Sequence, residues 1–426
     1  MTALARILRG TAFLLSALLL LSGCMLTSLA QGNNPPPASG GSDNSPVRHD
    51  IEQATSDRAQ LTTIAFDALA WLTGDFCSDT FLPPGKVTDY FGFQFLRDND
   101  PDEMGHNTSF VPRIANAVLA ILTDDQIADL ISLAEDQVES INGIAEMRYP
   151  MIDAFRRLLD NDLPSGTTGL DTDAVMAYGS TLFRLDGEVS LGRAIGLGAI
   201  ARSLTTTQRS SIEDLASAGS LSWPDLPDQV DKTTMPHDVH VAVMTYASEF
   251  FSWYAGSIEA DVYFCPERHG TYFGSFYMKD MPAMGNPDYS IPTELTGDSG
   301  EAFLNLLTTS QRTIIEDLVE TQRDELTEIV EVREDISIEL RKLMTQTTID
   351  ESLILSLSER YGELDAAIAV LYSEAFTAVY KTLSASQLAG MEQLRNLEGY
   401  ACNGAYLFSE NIPLPAIENT DGFFSR

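Results

Sequence analysis

The residues best placed for chemistry are Cys265-Pro266-Glu267-Arg268-His269, followed by Met278, Met281 and Met284. Thioether sulfurs spaced three apart beside an imidazole suit Cu(I), a soft ion that accepts sulfur ligands. His269, Met278, Met281 and Met284 are therefore the candidate metal set. The same methionines could instead fill gaps around Tyr272, Phe273, Phe276 and Tyr277, and the matching stretch of the first half keeps only Met104. The expectation is no cofactor, with Cu(I) as the alternative. His237-Asp238-Val239-His240 and His49-Asp50 read as helix starts, and His106, beside Gly105 and Asn107, as a turn residue. No G-x-S-x-G, H-E-x-x-H or phosphate-cradling glycine loop occurs. With 62 carboxylates, adjacent acids arise by chance. No catalytic residue is assigned, and the chain reads as a non-enzyme.

Cys24 carries different chemistry. An apolar run from Thr11 to Leu21, preceded by Arg6 and Arg9 and no acid, is too short to span a bilayer but suits a signal peptide. It ends in Leu21-Ser22-Gly23-Cys24, which resembles a bacterial lipobox: small residues ahead of a cysteine that receives a diacylglyceryl chain. Residues 1–23 are the expected signal peptide and Cys24 the lipidation site, tying the chain to a membrane. By resemblance to enterobacterial sorting, Met25 in place of an aspartate directs it to the outer membrane, facing the periplasm or the cell surface. The Gly-, Asn-, Pro- and Ser-rich stretch within 24–48 cannot bury a core and reads as a flexible tether, reaching roughly 25–30 Å. Three cysteines remain. Cys265 with Cys402 would staple the second half, and Cys77 with Cys265 would join equivalent points of two halves; the lack of a first-half counterpart to Cys402 favours the former.

Loss of residues 1–23 takes the formal charge from −36 to −38. Such a chain repels nucleic acid and anionic lipid surfaces. Only five basic residues are lysines, a balance also seen in proteins of saline habitats, so the acidity reflects either surroundings or partners.

The positioning elements repeat. Displaced by 185 residues, Ala115–Leu159 superposes without a gap on Gly300–Met344, pairing Leu119 with Leu304, Gln126 with Gln311, Gln137 with Gln322, Arg148 with Arg333 and Arg156 with Arg341. Trp71 answers Trp253, and Cys77 before Tyr90-Phe91-Gly92 answers Cys265 before Tyr272-Phe273-Gly274. A period of this length marks a duplicated domain. The copies are placed at 49–228 and 236–412, joined through Trp223–Pro227, with 413–426 as a tail. Leu130, Leu133, Ile141, Ile144, Ile152 and Phe155 recur at three- and four-residue steps, as do Ile315, Leu318, Leu326, Ile329, Ile336 and Leu340. That is one face of a long amphipathic helix in each copy. Pro150, opposite Asp335, should kink or restart the first. Strand-like alternation is scarce, so the expected fold is all-α, in two tandem helical-hairpin domains.

Four segments share one pattern: Leu122-Thr123-Asp124-Asp125-Gln126, Leu204-Thr205-Thr206-Thr207-Gln208, Leu307-Thr308-Thr309-Ser310-Gln311 and Leu383-Ser384-Ala385-Ser386-Gln387. Each predicts a helix start, in which Thr or Ser caps the amide three residues on, Gln reaches back, and Leu anchors the entry. Two such segments per copy resemble the periplasmic LTxxQ family, typified by the stress proteins Spy and CpxP and the metal-responsive relatives ZraP and CnrX. The resemblance implies small helical units that dimerise into a thin cradle and shield unfolded polypeptides without ATP, the two copies standing as a dimer fused into one chain. Envelope polypeptides are then the partners, and a metal-responsive or a structural surface lipoprotein the alternatives. The chain departs from the family in its longer copies, its acidity and Ser384.

Gln126, Gln137 and Arg148, matched by Gln311, Gln322 and Arg333, recur every eleven residues. That is close to three helical turns, so they share a face. The row is either a stripe that meets a partner or a buried layer between helices; the second reading is preferred, with Arg148 and Arg333 paired to glutamate of a neighbouring helix.

Overall fold

The structure, a computed structural model, describes residue 55 and residues 57–73, 110–218, 222–258, 297–395, 405–407, 410–412 and 416–425. The fold is predominantly α, as expected. The first half supplies α1 (Asp57–Thr73), α2 (Phe110–Ile121), α3 (Asp124–Met147), α4 (Tyr149–Asp160), α5 (Thr172–Ser203) and α6 (Thr206–Ala218). The second supplies α7 (His237–Ala255), α8 (Gly297–Leu306), α9 (Thr309–Thr321), α10 (Arg323–Arg341), α11 (Glu351–Tyr380) and α12 (Ala385–Arg395). Two short antiparallel pairs complete it: β1 (Gly169–Leu170) with β4 (Phe424–Ser425), and β2 (Ala405–Leu407) with β3 (Glu410–Ile412).

Pro150 restarts the first long helix as its missing N–H requires: α3 ends at Met147 and α4 opens at Tyr149 with the proline in its first turn. The second half breaks elsewhere, at Gln322 between α9 and α10, opposite Gln137 in unbroken α3. No proline stands there, and nothing in the local sequence explains the break. The periodic apolar residues of both copies line the core, all but half-buried Leu133 lying below the surface.

The longest helices, α5 and α11, form the centre. Asp171 and Asp350 cap them at matching positions, each accepting from the amide three residues on at 3.1 Å. The two cross antiparallel, with Gly179 opposite Gly362 and Ala366, and Gly187 opposite Ser358. A Cβ on Gly179 would stand 2.5 Å from the Gly362 carbonyl oxygen, and one on Gly362 would meet the Gly179 carbonyl closer still. Only backbone fits at this crossing. Phe183 and Tyr361 pack edge-on beside it, centroids 4.7 Å apart.

Packing does not follow the order of the copies. Helix α1 lies on α8, α9, α11 and α12 of the second half, and α7 lies on α2, α3 and α6 of the first. One hydrophobic cluster therefore runs through both halves. Trp71 and Trp253, one on each exchanged helix, are fully buried. Arg156 donates to the Trp71 carbonyl at 2.7 Å and Arg341 to the Gly256 carbonyl at 3.4 Å. Equivalent guanidiniums thus hold the C-terminal ends of α1 and α7, where carbonyls lack helical partners and the helix dipole favours a cation.

The stretch read as a tail is docked over residues 416–425. Gly169 pairs with Ser425 and Leu170 with Phe424. Phe423 meets Tyr178 edge-on at 5.1 Å, and the Arg157 guanidinium lies over Phe424 at 4.9 Å. Arg157 also reaches Thr420 and Asp421, both at 2.8 Å, while the Thr420 hydroxyl donates to Asp153 at 2.6 Å. The C-terminus of the second half is thereby stapled to α4 and α5 of the first.

Candidate functional site

The four repeated motifs each form the expected capping box. Gln126 and Gln208 accept from the backbone N–H of Thr123 and Thr205 at 2.9 Å, Gln311 from Thr308 at 2.8 Å, and Gln387 from Ser384 at 2.9 Å. They also meet in pairs. Gln208 donates to Gln126 Oε1 at 2.7 Å and to the Ile121 carbonyl at 2.9 Å. Gln387 repeats this with Gln311 Oε1 and the Leu306 carbonyl, both at 2.8 Å. Gln126 and Gln311 pass on to Ser203 and Thr382, at equivalent positions. Each glutamine therefore caps its own helix and ties two helix starts together within one half. Leu122 and Leu204 are buried behind them, Leu307 and Leu383 half-buried.

The polar row is a buried layer: Gln126, Gln137, Arg148, Gln311, Gln322 and Arg333 all lie within the core. Gln137 donates to the Val189 carbonyl at 2.8 Å and accepts from the Tyr246 hydroxyl at 2.7 Å. Gln322 donates to Gln60 at 3.0 Å and accepts from Tyr372 at 2.5 Å. Tyr246 sits on α7 and Gln60 on α1, so the row grips the exchanged helices. Beside the row, and not foreseen from it, Arg193 of α5 pairs with Glu249 of α7 at 3.1 Å, with the guanidinium 4.2 Å above Tyr246. Burial alone would lower the Arg193 pKa, but Glu249 and Tyr246 more than offset it and hold the group charged. Burial pushes the Tyr246 hydroxyl up, keeping it a donor. Arg148 and Arg333 end the two rows, Arg333 lying 6.0 Å from the Tyr361 ring.

Beside this layer a groove of about 1040 Å³ opens between α3, α5 and the docked C-terminal segment. Met147, Tyr178, Leu185, Val189 and Phe423 supply its apolar floor, and Gln137 reaches its base. The exposed carboxylates of Asp136, Glu146, Glu188 and Glu418 stand around it, and among the described residues no Lys, Arg or His lines it. The Tyr178 hydroxyl donates to the Met147 carbonyl at 2.7 Å, closing the end of α3. Burial raises its pKa. Among the described residues no nucleophile paired with a base lines the groove.

The candidate sulfur and imidazole ligands His269, Met278, Met281 and Met284, the candidate disulfide partners Cys77, Cys265 and Cys402, and the signal, lipidation and tether residues 1–48 lie outside the described residues. Among the described residues no helix is long and apolar enough to cross a membrane. No protein-family model matches this chain, and neither does any curated protein or solved structure. Sequence reasoning found the caps but not their pairing, nor the Arg193–Glu249 bridge, nor the groove. Adjacent Phe423 and Phe424 in an otherwise polar terminus were the one local signal of the docked segment.

Proposed function

We propose that this chain is a non-catalytic envelope lipoprotein, anchored through Cys24, that binds or holds polypeptides without ATP. The groove between α3, α5 and the C-terminal segment carries the reading: an apolar floor ringed by charge on a helical scaffold is the form of a polypeptide-docking surface. Four paired capping boxes and two exchanged helices stiffen that scaffold, and rigidity limits the ordering cost of binding. The resemblance of the motifs to the LTxxQ chaperones supports the same class. The test mixes the purified chain with a chemically unfolded client, without ATP, at low and moderate salt. Suppression of aggregation near a stoichiometric ratio is the expected result, and persistence in salt assigns it to apolar contact. No suppression with several clients overturns the holding reading.

A further inference from the structure

One bridge present in the second half has no counterpart beside the groove in the first. Between α10 and α11, Arg360 forks onto Glu328 at 2.7 and 2.9 Å and reaches Glu363 at 2.8 Å. Such a planar fork joined to a carboxylate is the strong form of ion pair. Glu328 is held below the usual carboxylate range, chiefly by that hydrogen bond. The repeat places Gly143 opposite Glu328, by the register that pairs Gln137 with Gln322. It places Thr181 opposite Arg360 and Arg184 opposite Glu363, by the register that pairs Asp171 with Asp350. Neither Gly143 nor Thr181 can bridge α3 to α5, and a Cβ on Gly143 would meet nothing within 4 Å.

We propose that the first-half groove receives a cationic amphipathic helix of a partner polypeptide, its guanidinium or ammonium groups meeting the carboxylates on the groove's rim. This rests on the polypeptide-holding reading and names the partner class. The apolar floor takes the partner's apolar face, while Asp136, Glu146 and Glu418 offer carboxylates to its cations and Glu188, paired with Arg184 at 3.4 Å, adds a fourth acid on the rim. From Asp136 to Pro150 the α3–α4 wall runs about 20 Å at the helical rise, enough for a partner segment of about 14 residues. The formal charge of −36 adds long-range attraction for such a segment.

The probe is a fluorescent helix of about 14 residues, leucine on one face and arginine on the other, titrated into the full chain and followed by anisotropy. A counterpart with glutamate for arginine is the control. Saturable binding of the cationic peptide alone, weakening as salt rises, is expected. Gly143→Trp, which fills the groove from an open position, should weaken it about tenfold or more, as should Glu146→Arg with Glu188→Arg, each variant first checked for native helicity. Absence of binding, equal binding of the glutamate peptide, or indifference to both variants overturns the proposal. So does displacement by spermine with no loss in Gly143→Trp, which would assign the site to small polyamines. If aggregation of unfolded clients is still suppressed when the peptide fails, only this assignment falls; if suppression also fails, the holding reading falls with it.

Discussion

Replacing Gln208 by alanine separates two roles that one motif residue performs. An ordinary capping-box glutamine bonds only its own N-cap amide. Gln208 accepts from Thr205 N at 2.9 Å and also donates to the Ile121 carbonyl at 2.9 Å and to Gln126 Oε1 at 2.7 Å, from a buried position. At about 1 kcal/mol net for each bond, the substitution should cost about 3 kcal/mol. Thr205→Ala removes the cap alone and should cost about 1 kcal/mol. A double-mutant cycle of Gln208→Ala with Gln126→Ala should return a coupling of about 1 kcal/mol for the direct bond. Urea unfolding followed by circular dichroism reads the cycle and Thr205→Ala alike. In the second half Gln387 is half-buried where Gln208 is buried, so Gln387→Ala should cost less than Gln208→Ala. If Gln208→Ala costs no more than Thr205→Ala, or the cycle shows no coupling, the motifs are isolated helix caps and the pairing contributes nothing.

Two glycines should respond with opposite sign to alanine. Gly362→Ala forces a methyl group onto the Gly179 carbonyl and should lower stability by about 1–3 kcal/mol, whereas Gly143→Ala adds a methyl in open space within a helix and should raise it by about 0.5–1 kcal/mol; thermal unfolding compares them. Because α1 packs on the second half and α7 on the first, residues 1–230 and 231–426 made as separate chains should bury Trp71 and Trp253 only when mixed, seen as a blue shift in tryptophan emission; a full shift in either chain alone refutes the exchange. Arg157 holds the Asp421 carboxyl below its usual range, so docking of the C-terminal segment is fully supported above the ordinary carboxylate pKa of about 4 and weakens as pH falls through the depressed value. Hydrogen-exchange protection of Thr168 and Asp171, whose amides bond the Ser425 and Phe423 carbonyls, should drop in that acid range, and Arg157→Ala should lower it already at neutral pH.

What could be read from the sequence is what short stretches of chain decide for themselves. Thr123, Thr205, Thr308 and Ser384 cap helices because hydroxyl and amide lie three residues apart. Pro150 ends a helix through its own missing N–H. Periodic Leu and Ile dictate an apolar stripe, and the eleven-residue spacing of the glutamine row fixed a shared face. The 185-residue repeat likewise announced two like halves. Which half each helix packs against is another matter. The stripes of α1 and α7 are apolar enough to bury against either copy, and because the copies are alike, each offers an equivalent seat. Only chain connection and the whole assembly choose between them. The break at Gln322, the seating of Phe423 and Phe424 on α4 and α5, and the Arg193–Glu249 pair depend on neighbours tens to hundreds of residues away. The groove is more dependent still, since α3, α5 and the C-terminal segment must meet to form it. Local pattern and periodicity settled the helices and their faces; loop closure and complementary packing, which no single segment contains, decided how the two halves interlock and where a surface was left open.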